Sequence, residues 1–165
     1  MSGVPDTVDR ILAQWARERP DLDCSPMGII GRISQLQREV NLAQRSTFAR
    51  HGLDVPSFDV LAALRRAGSP YELSPGRLLR ETLVTSGTMT NRVDRLAARG
   101  LVERLPDPHD RRGVLVRLTA EGKATVDHAF EQLLEAERTF LAGLPERDRT
   151  RLAGLLRTLL APFAD

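Results

Sequence analysis

The sequence is poor in the residues that would point to most other classes of protein. It holds a single cysteine, Cys24, which excludes an internal disulfide and a cysteine-rich metal site. Aromatic residues make up only 4% of the chain, and no apolar run approaches the ~20 residues that a transmembrane helix requires. Residues 1–21 carry acidic side chains and lack the apolar core of a signal peptide. We therefore expect a cytoplasmic protein that does not contact a membrane.

The chain also lacks the usual signals of catalysis. Its three histidines, His51, His109 and His128, do not have metal-ligand spacing. The sequence holds neither a Gly-rich phosphate-binding loop nor a nucleophile beside a general base. An enzyme is the alternative of a different class, and these absences argue against it. We expect no catalytic site, no metal and no cofactor.

What the chain does contain is enough apolar sequence for one folded domain. Of its 165 residues, 41% are hydrophobic and 28% are charged, an ordinary balance for a globular protein. Nine arginines and five acidic residues lie between Arg77 and Arg117, so this segment carries +4 in a chain whose net charge is +2. A basic segment within acidic flanks fits contact with an anionic polymer. The charge distribution by itself fits an ordinary solvated helical surface equally well.

Apolar periodicity and capping residues predict a mainly α fold with a small β hairpin. Ser74-Pro75 and Thr85-Ser86-Gly87 are signals of helix N-termini, and Gly100 marks a helix end. Helices are predicted over residues 6–19, 27–50, 56–67, 75–81, 86–100, 120–142 and 146–163, and strands over residues 101–105 and 113–119. This order of helix, turn, helix and hairpin is that of a winged helix-turn-helix, with the hairpin as its wing.

These elements form a single predicted domain over residues 1–165. A winged helix-turn-helix occupies residues 53–118, and a helical dimerisation region occupies residues 6–50 and 120–163. The two C-terminal helices carry more apolar side chains than they need for packing on each other. A homodimer interface uses such a surplus, and a plain core explains it nearly as well.

The second helix of the helix-turn-helix has the composition of a DNA-reading helix. Its apolar stripe, which we expect to pack inward, comprises Met89, Val93 and Leu96. The opposite face carries hydroxyl, amide and guanidinium groups, which hydrogen-bond phosphates and base edges. Backbone N–H groups at the helix N-terminus suit a phosphate, and a solvated surface is the alternative. With the arginine pair of the wing, the candidate DNA contacts are Ser86, Gly87, Thr88, Thr90, Asn91, Arg95, Arg111 and Arg112.

Two motifs carry a resemblance to a known family. "SGTMTNRVDRL" resembles the recognition helix of the MarR family of bacterial transcriptional regulators. "DPHDRRGVLVRLT" resembles its wing, with the family's Asp-x-Arg element at Asp110 and Arg112. The resemblance implies a homodimer that binds a pseudo-palindromic DNA duplex, typically as a repressor. It also implies that Arg112 enters a narrow minor groove, that Arg111 assists, and that Asp110 orders the wing.

A second resemblance concerns a small-molecule effector. Residues 6–19 look like the extra N-terminal helix of a urate-responsive branch of this family, whose ligand residues match Trp15, Asp59, Arg92 and Arg104. Urate is a flat anion, so arginines can neutralise it, an aspartate can accept from its N–H groups, and an indole can cover its ring. We predict that Arg92 pairs with Asp59 until the anion competes for it and shifts the recognition helix.

Several alternatives to a urate sensor stay open. Each of the four matched residues also has a purely structural explanation, and other planar or polycarboxylate anions can use the same arginines. Oxidation of Cys24 is another possible signal, although a lone cysteine is usually inert and the only tyrosine is Tyr71. A ligand-independent architectural DNA binder is the last alternative. Arg92 at the edge of the inward stripe and the tryptophan in the N-terminal helix argue against this alternative, because a protein that only binds DNA has no evident need for them.

Overall fold

The computed structural model describes residues 4–82, 86–108 and 110–163, apart from the side chains of Ser86, Gly87, Arg111 and Arg112. Within these residues the chain is mainly α, with seven α-helices, three short strands and a terminal 3-10 turn. It divides into two compact units, one up to Ser46 and one from Thr47 onward. No helix in the described ranges is both long and apolar enough to cross a membrane.

The first unit contains helix α1 (Thr7–Glu18) and most of helix α2 (Ser25–Ala49). A reciprocal capping box starts α1: the Asp6 carboxylate accepts from the Asp9 N–H over 2.9 Å, and the Asp9 carboxylate accepts from the Asp6 N–H over 3.0 Å. Arg32 of α2 donates to both carboxylates, over 2.8 Å to Asp6 and 2.7 Å to Asp9. The cap of α1 is thus also its attachment to α2.

Close backbone approach completes the contact between α1 and α2. Val8 is buried, and a Cβ built on Gly31 would lie 3.3 Å from a methyl group of Val8. A larger residue than glycine at this position would push the valine away. The predicted helices over residues 6–19 and 27–50 are confirmed to within two residues at each end.

Three helices of the second unit begin where a side-chain oxygen accepts a hydrogen bond from an N–H group of the first turn. They are α3 (Val55–Arg66) after Asp54, α4 (Pro75–Glu81) after Ser74, and α6 (Ala120–Phe140) after Thr119. The sequence signal at Ser74 therefore predicted a helix start correctly, and the helix predicted from residue 120 does begin at Ala120. Recognition helix α5 (Ser86–Ala98) follows α4, as the helix-turn-helix pattern predicted.

The sheet of the second unit is antiparallel, with strand order β1-β3-β2. Strands β2 (Val102–Asp107) and β3 (Asp110–Leu118) form the predicted hairpin, and β1 (Glu72–Leu73) adds a short third strand that the sequence analysis missed. Arg117 of β3 joins β1 to the hairpin by donating to the Glu72 carboxylate over 2.7 Å. The predicted loop was too long. Because β3 begins at Asp110, the two arginines at positions 111 and 112 belong to a strand.

The core of the second unit holds the recognition helix against α3 and the sheet. Phe48 and Phe58 stack at its centre with their ring centroids 4.2 Å apart. The largest fully buried side chains are Phe48, Leu61, Leu64, Leu78, Met89, Leu96, Val60, Val93, Val116 and Val126. Every element from α3 to α6 that surrounds the helix-turn-helix contributes to this core, so the position of α5 is set by packing.

Helix α7 (Glu146–Leu160) is different because it buries none of its side chains. Large apolar residues nevertheless line it and the adjoining helix end. The exposed ones are Phe130, Phe140, Leu141, Leu152, Leu155, Leu156, Leu159, Leu160 and Phe163. Exposed apolar faces of this extent are typical of surfaces that another protein chain covers.

Candidate nucleic-acid interface

Helix α5 has the two faces that its sequence predicted. Met89, Val93 and Leu96 are almost fully buried. The opposite face is exposed and presents Thr88, Thr90, Asn91 and Arg95. The predicted contacts at Ser86 and Gly87 lie outside the described side chains. Because its inner face is fixed by the core, α5 offers the outer face as a rigid row of hydrogen-bonding groups.

The tip of the wing is a tight hairpin in which Asp107 pairs with Asp110. A Cβ on Gly113 would lie 2.8 Å from the Cβ of Asp107 and 3.0 Å from that of Asp110, so only glycine fits there. Asp110 lies at this tip, and its wing-ordering role stays a prediction. His109 and the side chains of Arg111 and Arg112 lie outside the described part of the chain.

Arg92 is the unusual residue of α5. The residue is only 6% exposed, and its Nε and Nη1 atoms have no hydrogen-bond partner among the residues that the structure describes. The predicted pairing with Asp59 is wrong, because Asp59 interacts with Arg92 only as a charge at longer range, without a hydrogen bond. A buried guanidinium with two unbonded nitrogens is unfavourable, and a bound anion would satisfy them.

The charge of Arg92 acts on two carboxylates, that of Asp59 in α3 and that of Asp54, which caps α3. Burial raises the pKa of Asp59 above its ordinary value, and the positive charges of Arg66 and Arg92 only partly oppose that effect. For Asp54, burial also raises the pKa. The hydrogen bonds with Ser57 and the positive charge of Arg92 lower it by more than burial raises it, so the pKa lies below its ordinary value. The charge of Asp59 is thus incompletely compensated in the fold, although the positive charge of Arg92 acts on it.

The other two predicted ligand residues have different surroundings. Arg104 of β2 is exposed and donates from Nη2 to the Asp94 carboxylate of α5 over 2.7 Å. Trp15 belongs to the first unit and is 43% exposed. The structure therefore brings Asp59 and Arg92 into mutual electrostatic influence and gives Arg104 a partner of its own. The ligand roles of all four residues stay predictions.

Arg66 is a candidate that the sequence analysis missed. It ends α3, donates to the backbone carbonyl of Glu81 over 3.4 Å, and its charge acts on Asp59. The sequence did contain a signal, since Arg66 follows Asp59 by two helical turns and therefore lies on the same face of α3. Arg66 is therefore a further candidate residue in the surroundings of Asp59.

We expect Asp59→Asn to reveal the uncompensated carboxylate as a pH dependence of stability. Because the folded-state pKa of Asp59 is raised, the folded chain loses stability as the pH rises through that pKa. Asparagine does not ionise, so the unfolding free energy of the variant relative to wild type should increase as the pH rises from about 4, the ordinary pKa of an aspartate, through the raised pKa. Urea denaturation at several pH values measures this difference.

Asp54→Asn is the matched control on the same helix. The pKa of Asp54 is lowered in the fold, so wild type gains stability as the pH rises through that lowered pKa towards the ordinary value of about 4, and the relative stability of this variant should fall in that more acidic interval. Parallel curves for the two variants would contradict the assignment of opposite shifts to the two carboxylates.

The sequence is similar to known regulators along most of its length. The MarR family matches residues 51–113. Over 149 residues the chain is 39% identical to the HTH-type transcriptional regulator PecS of Dickeya dadantii, and the match covers 90% of each protein. Over 143 residues it is 30% identical to the HTH-type transcriptional repressor NicR of Pseudomonas putida, covering 84% of this chain and 89% of NicR.

Solved structures show the same fold. A mutant of MarR from E. coli complexed with operator DNA matches with a TM-score of 0.70 and 28% identity, over 84% of this chain and 99% of that one. BpsR of Bordetella bronchiseptica, whose DNA binding is regulated by 6-hydroxynicotinic acid, matches with a TM-score of 0.69 and 28% identity, over 83% of this chain and 94% of that one.

Proposed function

Since the chain belongs to the MarR family of DNA-binding transcriptional regulators, we propose that it is a repressor that a small planar anion such as urate releases from its operator. It is not an enzyme, as its relatives are regulators. The observation that carries the effector part is Arg92, whose buried guanidinium lacks partners for two of its nitrogens within the described residues. The repressor role is supported by the similarity to NicR.

DNA binding uses the outer face of α5 and the wing. Thr88, Thr90, Asn91 and Arg95 are exposed on one rigid helix face, where they can reach base edges and phosphates in a major groove. Ser86 and Gly87 begin that helix. Arg111 and Arg112 lie at the start of β3, and the arginines of a wing can enter the neighbouring minor groove.

The operator-bound form is a homodimer on a pseudo-palindromic duplex. The exposed apolar side chains of α7 and the end of α6 supply a face that a second copy would cover. A two-fold dimer places two recognition helices in successive major grooves, so the two half-sites are expected about one helical turn apart.

An anion at Arg92 would act on the recognition helix directly. Arg92 lies on α5, so a ligand that binds its guanidinium acts directly on the position of the helix that reads DNA. Asp59 can accept hydrogen bonds from ligand N–H groups, and Arg104 can clamp an anion. The ligand role of Trp15, which belongs to the first unit, stays a prediction. The compound that regulates BpsR, 6-hydroxynicotinic acid, is also a small planar acid. Binding of the anion then stabilises a position of α5 that differs from the operator-bound one, and this lowers the affinity for the operator.

Fluorescence anisotropy with duplex DNA from the region upstream of the protein's own gene tests both parts. We expect tight binding that urate or 6-hydroxynicotinate reverses, and that the uncharged purine hypoxanthine leaves intact. Arg92→Ala should bind DNA but ignore the anion. Binding that no anion reverses would remove the effector and direct attention to the oxidation of Cys24. Absence of DNA binding would remove the function.

A further inference from the structure

Arg99 immediately follows the recognition helix and binds backbone atoms. Its Nη1 donates a hydrogen bond to the carbonyl oxygen of Gly52 over 2.7 Å, and its Nη2 donates to that of His51 over 3.2 Å. Both acceptors lie just beyond the end of α2 at Ala49. One guanidinium therefore joins the C-terminal end of α5 to the turn between α2 and α3, which we call the α2–α3 corner (residues 50–54).

The α2–α3 corner presents these carbonyls to a cation. The N–H groups of His51, Gly52 and Leu53 bond back to the last turn of α2, and Gly52 has a φ of 64°, a left-handed conformation that ends the helix. Carbonyls at a helix C-terminus lack intrahelical donors and carry the negative end of the helix dipole. A Cβ on Gly52 would lie 3.1 Å from Nη2 of Arg99, which shows how closely the guanidinium packs.

The corner is itself firmly anchored. Phe48 and Leu53, on either side of its carbonyls, are buried in the core. The imidazole Nε2 of His51 lies 3.2 Å from the side-chain oxygen of Gln132 on α6. Arg99 consequently connects the end of α5 to a fixed point of the second unit, whereas its own side chain is exposed.

We propose that Arg99 is a positioning residue that sets the orientation of α5 and thereby the sequence specificity of DNA binding. The inference rests on the DNA binding proposed above. Two N–H donors in a planar fork, bound to two successive carbonyls, restrict both the distance and the rotation of the helix end. Arg95 and Asn91 lie one and two turns earlier on the same helix, so their reach to base edges depends on that rotation.

The test compares two duplexes of equal length, one selected by the wild-type protein from a random pool and one of scrambled sequence. For Arg99→Ala and Arg99→Lys, we expect the affinity for the selected duplex, divided by the affinity for the scrambled duplex, to fall about tenfold. This factor corresponds to the loss of one charge-assisted hydrogen bond. Affinity for scrambled DNA should stay unchanged. Lysine keeps the charge but lacks the fork. Gly52→Ala, which displaces the guanidinium and keeps its charge, should lower the ratio as well.

Two reference variants, the salt dependence of DNA binding and the melting temperature separate a positioning role of Arg99 from a phosphate contact and from a purely structural role. Arg95→Ala represents the loss of a direct DNA contact of α5, and Arg147→Ala represents a surface arginine outside the site. If Arg99→Lys restores the ratio and Arg99→Ala lowers the salt slope by about 0.9, Arg99 binds phosphate and the proposal is overturned. Lower melting temperatures with an unchanged ratio would overturn it too, because the role is then only structural. A wild-type protein that selects no duplex overturns the proposed function together with this inference.

Discussion

Replacing Gly122 with alanine is expected to lower the unfolding free energy by about 3 kcal/mol, which is large for a single methyl group. Gly122 lies in the first turn of α6, where its N–H donates to the cap residue Thr119 over 2.9 Å. A Cβ there would overlap the carbonyl oxygen of Leu101 and lie 2.8 Å from its carbonyl carbon. Backbone atoms cannot rotate away as a side chain can, so α6 or the chain at Leu101 has to move.

The displacement would also affect DNA binding, because Leu101 connects the end of the recognition helix to the first strand of the wing. Gly76→Ala is the matched control, since a Cβ on this residue of α4 meets no atom within 4 Å. That variant should gain about 0.5–1 kcal/mol, the usual benefit of alanine inside a helix. Thermal unfolding followed by circular dichroism should give Gly122→Ala a melting temperature that is lower than that of wild type by roughly 6 °C or more. Equal melting points for the two variants would contradict the close approach.

Arg92→Met is expected to stabilise the fold and to abolish the effector response at the same time. Methionine retains most of the side-chain volume and removes a buried charge whose Nε and Nη1 atoms lack partners in the described part of the chain. Hydrophobic replacement of buried charged groups is often stabilising, and about 2 kcal/mol is expected here. Urea denaturation without ligand measures the gain.

Addition of a ligand should reverse the order of stability. At a urate concentration about one hundred times its dissociation constant, wild type gains about 2.7 kcal/mol and the variant gains nothing. Arg95→Met is the control on the exposed face of the same helix. It is expected to weaken DNA binding and to leave both the unfolding free energy and its increase with urate unchanged. A loss of stability in Arg92→Met would show that the guanidinium is well accommodated without any anion.

Most of the fold follows from local signals. Ser74 and Thr119 cap helices through hydrogen bonds to N–H groups three residues away, so residue type and spacing suffice to predict them. Strand β1 was missed because it has only two residues and pairs with residues 116 and 117 far along the chain. A stretch that short carries no periodicity, and its conformation depends on a partner that sequence spacing does not identify.

The site was predictable to the extent that helical periodicity determines it. The outward and inward faces of α5 were predicted correctly, because a helix places its residues at fixed angles. The predicted pairing of Arg92 with Asp59 was wrong, since periodicity assigns each residue to a face and does not give the separation of two helices. Arg99 was missed because its acceptors are backbone carbonyls 47 and 48 residues earlier, and a carbonyl has no signature in the sequence.

Helix α1 is attached to α2 through a small number of groups in the described part of the first unit. The ion pairs of Arg32 with Asp6 and Asp9 are exposed and therefore sensitive to salt, and Val8 is the residue that α1 buries. Detachment of this helix requires less free energy than global unfolding. Trp15, the only tryptophan of the sequence, lies on it. Indole emission therefore reports the state of α1, and a fluorescence midpoint would underestimate the stability of the DNA-reading fold.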